Sequence, residues 1–178
     1  MNASKDFYPQ VFRDLLINEV KRRLFEEGIP RIRKCLSLLT HLEIWHEPNL
    51  HTNSVGVLVL HLCGNARQWI ISGLGGAVDN RNRDREFAPE HKPSADELSD
   101  LLKDLQLELE QVLDDLPPEV LLEPFSIQGL EENGVSVLIH VTEHFSYHVG
   151  QITQSVKRLK NVDTGYYNGM NLGQTTVE

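Results

Sequence analysis

Apolar residues recur at a near-helical period over four stretches of the chain, separated by polar or helix-breaking segments. Val11, Leu15, Ile17, Val20, Leu24, Ile29, Ile32, Leu36 and Leu39 mark a first helix from Val11 to about Leu42, which Gly28 and Pro30 are predicted to kink or split. A loop carrying Trp45, Pro48 and Asn49 leads to Asn53-Ser54, a good N-cap for a second helix reaching about Gly73. That helix is apolar nearly all round, so it belongs at the centre. Ser94-Ala95-Asp96-Glu97 reads as a capping box opening a third helix with a leucine stripe and an acidic surface, stopped by Pro117-Pro118. The fourth begins near Gly134 to Ser136 and runs to about Lys160, with Lys157, Arg158 and Lys160 suited to the negative end of its dipole. No segment shows convincing strand character. The tail after Asn161 is polar and reads as an arm or frayed end.

Four such helices predict an all-α protein, a four-helix bundle. The link from Leu74 to Pro93 spans about twenty residues, longer than the usual helix-to-helix connection, which favours a crossover with the second and third helices parallel. Helices two and four then run antiparallel and face each other across the core. At 178 residues the chain is one domain, a bundle over 1–162 followed by a tail over 163–178. A formal net charge of −9 argues against a nucleic-acid partner. The opening MNASKDFYPQVF has no apolar core of a leader, and the apolar run from Val55 to Cys63 is broken by His61 and too short for a bilayer. A cytoplasmic protein with no membrane partner is expected. Cys35 and Cys63 have neither zinc-type nor redox spacing and are expected as buried thiols.

The chemistry concentrates in the run from His140 to Gln151. With His144 at zero on a helical wheel, His148 falls near +40°, His140 near −40°, Gln151 near −20° and Tyr147 near −60°, so one stripe holds every candidate. His144 and His148 stand one turn apart, the spacing of two imidazoles on one ion. His140 is about 12 Å along the axis from His148 and is expected beside the ion rather than on it. Within the apolar second helix, His61, Asn65, Gln68 and Ser72 form a polar stripe, and a buried polar stripe needs a partner. The partner that fits is the stripe of the fourth helix, with a divalent ion between His61 and the His144/His148 pair. Asn65, Gln68, Gln151 or His140 would orient ligands or substrate. Without an ion, the two stripes would satisfy each other. His41, His46, His51 and His91 fall in loops or helix ends and are expected to be solvated.

The ordered set Asn53-Ser54-Val55, His61-Leu62-Cys63-Gly64-Asn65, Arg81-Asn82-Arg83-Asp84-Arg85-Glu86-Phe87 and His144-Phe145-Ser146-Tyr147-His148-Val149-Gly150-Gln151-Ile152 resembles the DinB/YfiT-like family of metalloenzymes. The resemblance spans about residues 8 to 160. It implies an up-down-down-up four-helix bundle, often a homodimer, that binds nickel, zinc or iron through one histidine of the second helix and two ligands of the fourth. Those positions match His61, His144 and His148. It further implies chemistry on a small-molecule substrate, with transferases and isomerases that use a low-molecular-weight thiol among its characterised members.

Three neutral imidazoles would leave an ion open positions, the arrangement of a catalytic site able to activate water or a thiol. Glu143 points about 100° away from His144, so no carboxylate on the fourth helix is aimed at the site, which tilts the reading toward thiol or Lewis-acid chemistry. Glu86, Asp84 or a carboxylate of the first helix would have to reach in from elsewhere. A metal-dependent hydrolase and a noncatalytic metal- or ligand-binding bundle stay open. The Arg81 to Phe87 segment reads either as a solvated, salt-bridged loop or as a guanidinium receptor for a substrate carboxylate.

Overall fold

Three of the four long helices open on side-chain caps. Ser54 accepts the Val57 N–H, Ser94 and Glu97 bond reciprocally, and Asn133 does the same with Ser136. The computed structural model describes residues 7–175. The readings of the first six residues and of the last three of the tail lie outside that span.

In chain order the elements are α1 (Phe7–Lys21), a wide-turn π segment (Arg22–Gly28), α2 (Ile29–Leu36), α3 (His41–Ile44), α4 (Val55–Ala66) continued by a second π segment (Arg67–Leu74), α5 (Arg83–Phe87), α6 (Ala95–Asp115), a 3-10 turn (Pro118–Leu121), β1 (Pro124–Ile127), β2 (Leu130–Asn133) and α7 (Gly134–Lys160). Contacts between these elements give the directions. His61 and Asn65 of α4 meet His144 and His140 of α7, so these two run antiparallel. Arg67 pairs with Glu108 while Gly75 lies against Val112, so α4 and α6 run parallel. Gly28 faces Phe145 and Cys35 faces Thr153, so the first helix and α7 run parallel too. The bundle is up-down-down-up.

Several local expectations need correction. Where a kink or split was expected at Gly28 and Pro30, the helix continues through a π segment over Arg22–Gly28 into α2. The Ile29 N–H bonds Leu24 O, five residues back, and this wide turn ahead of the proline absorbs the missing donor. The helix ends at Leu36 rather than near Leu42, and a capping box at Thr40 and Glu43 starts the short α3.

A β-hairpin, unforeseen from the sequence, joins the third helix to α7. Ile127 pairs with Leu130 across a turn in which Gln128 and Gly129 have φ of 55° and 77°, the two left-handed residues of a tight hairpin. Its strands are four residues each, too short to show alternation. Ile127 occupies the space left by Gly73, where a Cβ would stand 2.5 Å from its Cδ1.

Trp45, at the start of the loop that follows α3, is buried and donates its Nε1–H to Pro93 O at 3.0 Å. Gly56 makes room for its ring. The tail does not fray where Thr164 is buried and Tyr166 inserts its hydroxyl between Cys35 Sγ at 3.0 Å and Thr153 Oγ1 at 2.9 Å. Arg31 lies over both Tyr166 and Tyr167. Cys35 and Cys63 are buried free thiols. No helix among the described residues is long and apolar enough to cross a membrane.

Candidate metal centre

Because α4 and α7 run antiparallel, His61 from the middle of one meets His144 and His148 from the middle of the other. One ring nitrogen from each lies within 4.8 Å of the other two. The closest approach is His61 Nε2 to His144 Nε2 at 3.0 Å, and the three rings stand edge-on to one another at 69°, 89° and 81°. His61 and His148 are buried, and His144 is the partly exposed member.

The outer nitrogens explain the inner ones. His61 Nδ1–H donates to Glu86 Oε2 at 2.9 Å, and His148 Nδ1–H donates to Gln151 Oε1 at 2.7 Å. An imidazole that donates through Nδ1 presents a lone pair at Nε2, the nitrogen a metal requires. The donor set, three imidazoles converging from two helices with two of them backed by hydrogen-bond acceptors, fits a divalent first-row ion.

Electrostatics act the same way. Burial, reinforced by the neighbouring imidazoles and Arg81, pushes His144 down to about 3. Burial also lowers His148 and His140. Near neutral pH these rings are uncharged and their lone pairs are available. Burial by itself would raise Glu86, but its bonds to Arg81 and His61 outweigh that and hold it below the usual carboxylate range, so it stays an anion behind His61.

Glu86 and Arg81 give the site a part that the sequence did not assign to them. The Arg81 guanidinium grips Glu86 twice, Nε to Oε1 at 2.6 Å and Nη2 to Oε2 at 2.8 Å, with both side chains almost fully buried. Arg81 is therefore turned inward as a clamp, not outward as a carboxylate receptor. Its Nη1 donates to Gln68 Oε1 at 2.8 Å, and Gln68 Nε2 donates to Asp79 at 2.6 Å. Asn82 caps α5, which delivers Glu86. That cap was the one sequence signal that the Arg81 to Phe87 segment is ordered. Arg83 lies over the Phe87 ring at 4.7 Å, and Phe87 is 5.1 Å from the His61 ring.

The remaining expected residues divide. Gln151 and Asn65 are in place, Gln151 on His148 and Asn65 buried with Nδ2 at 3.4 Å from His140 Nε2. His140 stays outside the cluster, its ring parallel to that of His144 at 5.6 Å. Gln68, expected inside the bundle, is only half-buried and touches none of the three histidines, meeting Arg81, Asp79 and Gln128 instead. The reason is the π segment that starts at Arg67. Its wider turn advances each residue by less than a regular helix does, which brings Trp69 round to His140 and swings Gln68 outward. Tyr147 is exposed, its ring edge-on to His148 at 5.1 Å. His41, His46, His51 and His91 are exposed, as expected.

A family model described as "Protein of unknown function (DUF1572)" matches residues 15–167. The chain belongs to this family. The fold of this DUF1572 protein is similar to a DinB-like protein from Bacillus cereus, with 19% identity, 79% of this chain and 90% of that one covered, and a TM-score of 0.61. It is similar also to the DinB-like protein YjoA from Bacillus subtilis, with 13% identity, 84% and 94% covered, and a TM-score of 0.62. No curated protein matches the sequence. The structural likenesses carry the fold, and the three-histidine cluster of this DUF1572 member is compatible with a metal site on that fold.

Proposed function

We propose that this protein is a divalent-metal-dependent enzyme in which His61, His144 and His148 hold one nickel, zinc or iron ion and leave positions open to a small-molecule substrate. The observation that carries the reading is the convergence of three imidazole nitrogens within 4.8 Å, with Glu86 and Gln151 backing two of the rings. When bound, the ion supplies Lewis acidity to the substrate. The chain's own part is to keep the His144 and His148 rings neutral by burial, to fix Nε2 of His61 and His148 as the inward nitrogens, and to leave His144 partly exposed.

The carboxylate nearest the cluster, Glu86, sits behind His61 and is held by Arg81, so it is not free to take a proton from a substrate on the inner side. Glu143 is exposed on the outer face of α7. This supports thiol activation, in an S-transferase or isomerase using a low-molecular-weight thiol, over a hydrolase that needs a carboxylate base. Two free, buried cysteines suit a reducing, cytoplasmic setting. An outward stripe of Val11, Phe12 and Leu15 on α1 suits a homodimer.

Elemental analysis of untagged protein tests the metal, with about one first-row ion per chain expected and a metal-free protein that also fails to take up added zinc, nickel or iron overturning it. Turnover of electrophilic substrates only when a low-molecular-weight thiol is added supports the transferase reading. Turnover of simple esters or amides without thiol replaces it with a hydrolase.

A further inference from the structure

Gly64 interrupts α4 among apolar neighbours, at a position where glycine is an unfavourable helix residue and alanine a good one. A Cβ built there would stand 2.0 Å from Glu86 Oε1, 2.7 Å from its carboxyl carbon and 3.2 Å from Arg81 Nε. A surface glutamate would swing away at little cost. Glu86 is not such a residue, because Oε1 receives Arg81 Nε at 2.6 Å while Oε2 receives Arg81 Nη2 at 2.8 Å and His61 Nδ1 at 2.9 Å. Arg81 is itself held by Gln68 Oε1 through Nη1 and by Asp79 Oδ1 through its backbone N–H. Any retreat of the carboxylate large enough to admit a methyl group at position 64 lengthens at least one of these bonds.

We propose that Gly64 is a positioning residue for the metal centre: its missing side chain is the seat on which the Glu86 carboxylate rests, and only from that seat does Glu86 reach His61 Nδ1 and keep Nε2 as the inward nitrogen. The assignment rests on the metal reading above for its purpose, although the seat itself is a feature of the metal-free chain. Other helix glycines do not share the arrangement. Gly73 accommodates Ile127, and a Cβ at Gly150 of α7 meets nothing within 4 Å.

The test compares Gly64→Ala, Glu86→Ala, the two combined, and Gly150→Ala as a control, with circular dichroism reporting the fold. In metal-free protein, the His61 Nδ1–H should give a slowly exchanging downfield proton resonance in the unmodified chain and in Gly150→Ala, and none in Gly64→Ala or Glu86→Ala. Zinc affinity, measured by competition with a chromophoric chelator, should fall about 10–100-fold in Gly64→Ala and by the same factor in Glu86→Ala, as for loss of a group that orients a metal-binding histidine. The combined variant should be no weaker than Glu86→Ala, since the methyl group then displaces nothing. Gly64→Ala that keeps both the resonance and full zinc affinity overturns the proposal, and so do losses that multiply in the combined variant. If Gly64→Ala does not fold, the combined variant should still fold, and its failure would show that the glycine serves packing and not Glu86. Absence of zinc binding by the unmodified chain refutes the metal reading instead, while the resonance decides the seat independently.

Discussion

The indole of Trp69 lies face to face with the imidazole of His140, 3.7 Å between ring centroids and 18° between planes. This stack links the core of the bundle to the histidine cluster, since Trp69 is fully buried and His140 borders both Asn65 and His144. Trp69→Ala should lower stability by about 3–5 kcal/mol, the cost of emptying a large buried aromatic site. Urea unfolding followed by circular dichroism measures it. A loss below about 1 kcal/mol would mean the ring is not packed as described.

Replacing His148 with Ala should weaken metal binding by more than the about 10–100-fold expected when only a supporting partner is lost. His144→Ala combined with His148→Ala should abolish it. His140→Ala should retain the metal with reduced affinity, because its ring lies beside the cluster and not in it. Calorimetric zinc titration of the variants separates these outcomes, and stoichiometric binding by the double variant would remove the assignment.

Gln151 is exposed, yet its Oε1 lies 2.7 Å from His148 Nδ1. Gln151→Leu should therefore leave the melting temperature nearly unchanged while zinc affinity falls about tenfold, the low end for loss of a ligand's hydrogen-bond partner. A large drop in melting temperature with unchanged affinity would reverse that interpretation.

Arg13 caps the end of α6, donating to Leu116 O at 2.8 Å, Leu113 O at 2.7 Å and Asp114 O at 2.6 Å. These are charge-assisted bonds to carbonyls that the helix leaves unpaired, at the negative end of its dipole. Arg13→Ala should cost about 1.5–3 kcal/mol. Denaturant unfolding provides the measurement, and Arg13→Lys should recover only part of the loss because an ammonium lacks the planar fork.

Burial, aided by the bond with Cys35, pushes the Tyr166 phenol up to about 12. In the unfolded chain tyrosine ionises near 10, so between about pH 10 and 12 the unfolded state has released a proton that the folded state keeps. Stability contributed by this group is intact below pH 10 and is lost as pH rises toward 12. In a spectrophotometric titration one of the four tyrosines should ionise late. Tyr166→Phe should remove that late step, and a late step that persists would place it on another tyrosine.

What the sequence by itself determined is whatever rests on local periodicity and capping. The leucine stripe of α6 between Ser94 and Pro117, the start of α7 near Gly134 and its end at Lys160 followed from side chains that act within a turn or two of their own backbone. The polar stripes were legible for the same reason, because His61 and Asn65 in the second helix, and His144 and His148 in the fourth, recur four residues apart and so share a face. The length of the link after the second helix carried the up-down-down-up order.

Tertiary structure decided what depends on partners distant in the chain. Arg81 and Glu86 look like members of a solvated charge run until α5 folds against α4 and buries them against His61 and Gly64. The sequence places Trp45 in a loop but not its partners, because Pro93 and Gly56, which enclose it, lie far along the chain or in the next helix. Gln68 left the stripe because the ladder widens at Arg67, a change in turn that helical periodicity does not register. Tyr166 is polar sequence in a polar tail until Cys35 and Thr153 receive it. In each case burial changes what a charged or aromatic side chain can do, and burial is a property of the assembled bundle that no local window of residues contains.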